Sequence, residues 1–478
     1  MDAITVFQTL FRWGMLAFVG GLAVLFVLSW IYRIYKKAFH GKILFTKMQI
    51  ICAGLLCCWF ILVFCLTSLS RGSNFTGSFN VDFLSGYISA WNNWSISELQ
   101  LIIFNMLMFA PLGFLLPLLW KKAEKFWVTL AVSFGVTALI ELFQLFTGTG
   151  IFELDDLFHN LIGSLFGYFC IMAVLTSIYE KNIRFAPTAK ALMIPCVLGL
   201  TLGVVFYIYD SQPYGNMSIL PAVRQDVSAV HMVTELKFSE KDETAAVYKN
   251  RFAENHDYLE NIKSALATLE NLTFSNLTRR EDENLGYLGT DANGTDFQMM
   301  FFFRTGEWSY TTFSETTAQI TQEMAQRLRE RYETWMQEMK LLPENANFSV
   351  QNGDTLRWDI PLEQDISSGC EAFQKGSVMI QFDQSGALAN FFYQITWNEY
   401  VKTEKMISEN QAYMQVESGN FKQYVPFQSG DILYINQCKL NYLYDTKGFY
   451  QPVYEFRGYI NSSENLWVGQ IPALAHEG

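Results

Sequence analysis

LQLIIFNMLMFAPLGFLLPLLW, residues 99–120, is the stretch on which the reading of the whole chain turns. It carries no charged side chain and is close to the roughly 20 apolar residues that a membrane-spanning helix needs. Beyond Gln100 at its edge, the amide of Asn105 interrupts it, and Gly113 lies between two prolines, Pro111 and Pro117. Working outward, similar runs occupy about 14–32, 49–69, 127–147, 157–178 and 191–209. Six transmembrane helices are expected. Arg12 ahead of the first run is also a signal-peptide feature, but no small-residue cleavage site follows and a basic loop comes next, so this run reads as an anchor.

Short loops set the orientation, because Lys and Arg collect on the cytoplasmic side. Arg33, Lys36, Lys37, Lys42 and Lys47 follow the first span, Lys121, Lys122 and Lys125 the third, and Lys181, Arg184 and Lys190 the fifth. The connections 70–98 and 148–156 carry Arg71 alone against Asp82, Glu98, Glu153, Asp155 and Asp156. Both ends of the chain are therefore expected outside the cell, in a plasma membrane.

Composition breaks near Asp210. Before it stand 13 Lys and Arg against 9 Asp and Glu; from it onward, 21 against 37. The expected organisation is a six-helix transmembrane domain over 1–209, a linker over 210–224 containing Pro213, Gly215 and Pro221, and an extracytoplasmic α+β domain over 225–478. An acidic domain of this size is large enough for its own core and is a poor partner for nucleic acid or an anionic bilayer.

Six of the eight cysteines (52, 57, 58, 65, 170 and 196) lie in spans, where Cys behaves as a small apolar residue. Cys370 and Cys438 fall in the outer domain, as a disulfide or as two thiols. No CxxC, HExxH or P-loop pattern occurs, so no cofactor and no metal site is expected.

Polar groups inside the spans are the functional candidates, since an amide or carboxyl in lipid is costly unless paired or wetted. With the orientation above, Asn105 lies roughly 9 Å into the third span at 1.5 Å per residue. Glu141 and Gln144 sit near the outer end of the fourth, and Asp155, Asp156 and Asn160 open the fifth from the same side. Asp156, Asn160, Gly163 and Gly167 share one helix face, polar at one end and bare further in. Gly163 and Gly167 form a GxxxG motif, which permits close helix approach. Together with a kink or open carbonyl at Pro111, Gly113 and Pro117, these residues suggest an outward-facing crevice, with Asp155 and Asp156 capping the fifth helix. The alternative is interhelical hydrogen bonding without a ligand.

Asn105-MLM-Phe109-A-Pro111-L-Gly113-FLL-Pro117, Glu141-LF-Gln144 and Asp156-LFH-Asn160-LI-Gly163-SLF-Gly167 together resemble the VanZ-like family of bacterial membrane proteins. Members often carry an Arg a few residues before the Asp; Gly148 to Asp155 has none, so a mechanism that pairs that Arg with the acid does not carry over. The resemblance implies low-level resistance to the glycopeptide teicoplanin rather than a defined reaction.

In the outer domain, Glu240 to Leu272 and Glu315 to Leu341 read as helices. Phe297 to Phe303, Gly376 to Phe382, Ala387 to Trp397, Ile432 to Tyr444 and Phe449 to Ile460 read as strands, with hairpin turns at Asp383–Gly386 and Asp445–Gly448. Met406-ISENQAYMQV followed by the last hairpin, ending Gln451-Pro452-Val453-Tyr454-Glu455-Phe456, looks like the extracytoplasmic PepSY-like domains of YycH- and YycI-type proteins, which implies a binding or regulatory role without catalytic residues; an envelope protein is the partner expected for this domain.

The reading taken forward is non-enzymatic: a Gram-positive envelope protein whose crevice engages a membrane lipid, a lipid-linked wall precursor or a glycopeptide. An intramembrane enzyme acting on a lipid headgroup or polyprenyl phosphate, with Glu141 as acid or base, is the alternative.

Overall fold

The computed structural model describes residues 3–38, 40, 44–69, 79–281, 284–312, 319–362 and 365–475. Lys42, Arg71 and His476 lie outside the described residues, as does the side chain of Arg12. The chain divides into two compact units, Asp2–Ala90 with Ile96–Gln212, and Trp91–Ser95 with Pro213–Gly478.

The first unit holds the helices α1 (Ala3–Ala38), α2 (Lys47–Phe64), most of the short α3 (Ser85–Asn93), α4 (Ile96–Leu119), α5 (Phe126–Thr147), α6 (Leu154–Glu180) and α7 (Phe185–Ser211). Among the described residues, six helices are long and apolar enough to cross a membrane: α1, α2 and α4 to α7. Local chemistry sets several ends. Thr46 and Gln49 form a capping box that starts α2, and Gly148, at φ 66°, ends α5 in the left-handed conformation. Two short strands, β1 (Phe79–Asn80) and β2 (Phe152–Glu153), pair in parallel beside the start of α6.

Contact between α4 and α6 is made by backbone meeting backbone. A Cβ on Gly163 would lie 1.6 Å from the Met106 carbonyl oxygen, one on Gly167 1.9 Å from that of Ala110, and one on Gly113 1.7 Å from that of Ser164. Only glycine fits at these three places. The helix α4 runs through Pro111 and Pro117 without a break. In the turn that Pro111 crowds, the Met108 carbonyl accepts a hydrogen bond from Trp59 Nε1 at 2.7 Å. Trp59, Val63, Phe109, Leu112 and Ile140 form the bundle's apolar core.

The second unit is built from β3 (His231–Thr234), β4 (Thr244–Asn250), α8 (His256–Glu270), β5 (Thr273–Glu281), β6 (Asn284–Thr290), β7 (Asp296–Phe302), β8 (Glu307–Thr312), α9 (Gln322–Glu338), β9 (Asn347–Gln351), β10 (Thr355–Ile360), β11 (Ala372–Phe382), β12 (Leu388–Tyr393), β13 (Thr396–Lys405), α10 (Glu409–Glu417), β14 (Ile432–Tyr444), β15 (Phe449–Ile460) and β16 (Leu466–Pro472). The strands run in the order β3-β14-β15-β4-β13-β11-β12-β8-β7-β6-β5, with β10 and β9 branching from β11 and β16 from β15. All pair antiparallel except β3 with β14. The sheet divides at Gly376: β11 pairs with β13 through Ala372–Lys375, and from Gly376 onward with β10 and then β12. Gly376 has φ 121°, and a Cβ there would lie 1.9 Å from the Gln394 carbonyl oxygen. Three apolar clusters result. One gathers α8 and α9 around Trp308, Trp358, Phe391 and Tyr393; the second seats α10 on Leu433, Phe456 and Trp467; the third joins Tyr248, Phe373, Tyr442 and Tyr450.

The α+β class and the hairpins at Asp383–Gly386 and Asp445–Gly448 agree with the sequence reading, and three elements do not. Thr244–Asn250, expected to be helical, is β4; Ala245 to Tyr248 are fully buried, so an interior strand presents an unbroken apolar run that lacks period-2 alternation. The helix begins only at His256, capped by Asn255. Ala387–Trp397, expected to be one strand, is two, because β12 and β13 pair with different segments of β11 on either side of Gly376. The second expected helix starts at Gln322, behind its cap Thr321, and residues 315–318 of that reading lie outside the described residues. Cys370 and Cys438 are free thiols.

Candidate functional site

The polar residues of the spans gather where α4 begins, α5 ends and α6 begins. Asn105 Nδ2 donates to Asp156 Oδ1 at 2.8 Å, joining α4 to α6. Asn160 Nδ2 donates to Thr137 Oγ1 at 2.7 Å, joining α6 to α5. Glu141 Oε2 accepts from the Glu153 amide at 3.4 Å, and Gln144 Nε2 donates to the Thr67 carbonyl at 3.2 Å, so these two tie α5 to β2 and to the turn that follows α2. Glu141 is 2% exposed, Gln144 3% and Asn160 4%; Asp156 keeps 20% of its side chain exposed. In this conformation the residues form a packed network, where the sequence suggested a crevice. The cause is pairing: Asn105, Glu141, Gln144, Asp156 and Asn160 each make a hydrogen bond to a neighbouring element, which draws the helices together, although Asn160 Oδ1 stays buried without a partner.

Asp155 does something the sequence did not suggest. Its carboxylate accepts from the amides of Leu84 at 2.7 Å and Gly86 at 3.0 Å, and so holds the entry to α3. Leu84 sits at φ 68°, a conformation unusual for a non-glycine residue, directly in this grip. Beside it, the buried His159 places Nε2 2.8 Å from the Tyr87 hydroxyl. The N-cap position of α6 belongs to Glu153, which makes no side-chain cap bond; Asp155 and Asp156 lie in the first turn, where their charge still complements the helix dipole.

The sequence reading missed a stripe. Thr129, Ser133, Thr137, Glu141 and Gln144 are all buried along one face of α5 at spacings of four, four, four and three. Ser133 Oγ lies 2.6 Å from Ser164 Oγ on α6, and Thr129 Oγ1 donates to the Ala123 carbonyl at 2.7 Å. The signal was present: hydroxyls repeating every four residues in a lipid-length helix mark the face turned toward protein.

The electrostatics are one-sided. Among the described residues of 79–120 and 126–160 the charged side chains are Asp82, Glu98, Glu141, Glu153, Asp155 and Asp156, with no Lys or Arg. Among the described residues, no three His, Cys, Asp or Glu side chains are arranged to hold a metal ion.

The polar network and the glycine contacts all lie within one segment that known sequences share. Residues 50–176 match the VanZ/LLP1 family model. The matched VanZ/LLP1 segment runs from α2 into α6 and contains Asn105, Glu141, Gln144, Asp155, Asp156 and Asn160, together with Pro111, Gly113, Pro117, Gly163 and Gly167. The comparison with curated proteins gives no match. Several solved structures are similar to parts of the chain, and two of them illustrate the likeness. An uncharacterized protein from Eubacterium rectale ATCC 33656 shares 13% identity over 52% of this chain and 88% of its own, with a TM-score of 0.23. The Bacillus megaterium YpeB C-terminal domain shares 11% identity over 45% of this chain and 97% of its own, with a TM-score of 0.20. With scores so low, the fold of the sheet-rich unit rests on its own strands. The chain thus combines six helices long and apolar enough to cross a membrane, a segment within them that is similar to the VanZ/LLP1 family, and a large sheet-rich domain that follows in sequence.

Proposed function

We propose that the helical unit binds a lipid-linked envelope component or a glycopeptide antibiotic at the outer leaflet of a Gram-positive plasma membrane, with the sheet-rich domain outside the cell. The observation that carries this reading is the Asn105–Asp156 pair. A carboxylate in a spanning helix is held by one neutral amide at 2.8 Å and is still partly exposed, with the His159 ring 3.8 Å away and no Lys or Arg among the described residues of 79–120 and 126–160. Such a group is expensive to keep in lipid, and intramembrane ionisable residues mark ligand paths more often than scaffolding. The match over residues 50–176 supports the reading, because the segment that resembles a resistance-associated family is the one that carries the network.

In this scheme Asp156 orients the ligand and Asn105 holds the carboxylate in place. Glu141 and Gln144 fix the end of α5, and Gly163 and Gly167 keep α4 and α6 in register. The test is teicoplanin susceptibility of a sensitive Gram-positive host expressing wild type, Asp156→Asn or Glu141→Gln at matched membrane abundance. Resistance from wild type alone supports the binding role. Equal susceptibility in all strains, including the empty host, would remove the glycopeptide from the proposal.

A further inference from the structure

The ligand's chemistry can be read from what the network leaves unfilled. Asp156 Oδ1 takes the Asn105 amide. Asn160 uses its Nδ2 on Thr137 and leaves Oδ1 buried without a hydrogen-bond partner. His159, 2% exposed, has Nε2 at the Tyr87 hydroxyl, while Nδ1 is buried, has no hydrogen-bond partner and stands 3.8 Å from Asp156 Oδ1. With Nε2 carrying the proton toward Tyr87, Nδ1 is an acceptor. Residues 156, 159 and 160 are spaced i, i+3 and i+4, so the three side chains stand together at the start of α6.

The Asp156 carboxylate and Asn160 Oδ1 are acceptors, as is His159 Nδ1 in the tautomer that donates from Nε2 to Tyr87, and the one formal charge is negative. Buried acceptors without donors destabilise a protein, and a carboxylate near lipid needs a counter-charge. A phosphate or carboxylate group would add like charge. A single water supplies two donors and no charge. An alkylammonium supplies three N–H donors and one positive charge. We infer that Asp156, His159 and Asn160 form the seat for the primary ammonium of a lipid headgroup, reached through the exposed part of Asp156. This rests on the binding role proposed above and names the chemistry that the role selects.

The test uses purified full-length protein in nanodiscs of phosphatidylglycerol containing a minor fraction of phosphatidylethanolamine or of its N-acetylated form, with retained lipid read by native mass spectrometry. Phosphatidylethanolamine should be retained about tenfold over its bulk fraction, and the N-acetylated lipid, which keeps the phosphate but loses the charge, should not. Asp156→Asn should abolish the enrichment, and Ser177→Ala, whose hydroxyl bonds back to the Ala173 carbonyl of its own helix, should keep it. Should Asp156→Asn fail to fold, the wild-type comparison of the two lipids still decides. Equal retention of both lipids, or preference for phosphatidylglycerol, overturns the ammonium seat and leaves the binding role standing. Displacement by free ethanolamine at millimolar concentration overturns the lipid source in favour of a soluble amine. No retained lipid together with no teicoplanin phenotype removes both readings.

Discussion

Asn105 Nδ2 and Asp156 Oδ1 meet at 2.8 Å across α4 and α6, and the residue after Asn105, Met106, offers its carbonyl to the closest backbone contact between the same two helices, at Gly163. The hydrogen bond and the glycine contact are thus mechanically one feature. Whatever moves α4 from α6 by a methyl's thickness also lengthens the bond to Asp156.

Gly163→Ala should therefore act at a distance from any ligand. Its Cβ would fall 1.6 Å from backbone, which cannot move away as a side chain can. Overpacking of this kind costs about 1–3 kcal/mol, and a lower thermal midpoint of the detergent-purified protein would register it. The variant should also lose any resistance phenotype; a wild-type midpoint would show that the helices can part freely.

The Asn160–Thr137 bond is a clean pair for a double-mutant cycle. Asn160→Leu and Thr137→Val should be coupled by about 0.6 kcal/mol and at most about 1.7 kcal/mol, the range for hydrogen bonds between membrane helices. Additive losses in an unfolding assay would mean that the bond contributes nothing net.

In the sheet-rich unit, Asp445 is fully buried and accepts from the amides of Gly215, Lys447 and Phe449 and from Gln451 Nε2. Burial pushes its carboxyl up, while those four donors pull it down; the net direction is up. A folded-state value above the unfolded one means that the folded form holds the proton more tightly. Its contribution to stability is fully present below the ordinary carboxylate value, about 3.9, and is lost as pH rises through the raised one. Asp445→Asn should flatten that part of the stability profile, measured by denaturant titration at pH 4 to 7.

Burial pushes the Cys438 thiol up to about 12, so little thiolate exists at neutral pH. In the native protein it should react with maleimide far more slowly than after denaturation, and non-reduced and reduced samples should give one mass. A loss of two mass units without reductant would mean that Cys370 and Cys438 are bridged.

Orientation can be checked by replacing Lys42 and Asn93 singly with Cys in a chain stripped of its other cysteines. An impermeant thiol reagent added to intact cells should label position 93 and not 42. Labelling at 42 would invert the bundle and place the polar network on the cytoplasmic side.

Much of this was legible because it follows from composition. Asn105, Asp156 and Asn160 stood out as polar letters in apolar runs, and the six spans followed from length alone. Thr137, Ser133 and Ser164 were overlooked, since hydroxyls are common in spanning helices and their value depends on a partner. Tyr87 could not be paired with His159 from sequence, because the two are brought together by a connection, β1 and the entry to α3, that has no periodic signal. In the sheet-rich unit, β4 was misread for a related reason: a strand buried on both faces loses the alternation by which strands are recognised.

By itself the sequence determined what the solvent selects: six lipid-length helices, the change to an acidic domain near Asp210, and the few polar groups that lipid would not tolerate unpaired. Tertiary structure decided which of those groups meet. A hydrogen bond between two elements requires the fold to bring its partners within about 3 Å, and chain spacing fixes geometry only within one helix. That is why the face shared by Asp156, Asn160 and Gly163 could be written down in advance, while the partners Asn105, Thr137 and Met106 belonged to the fold.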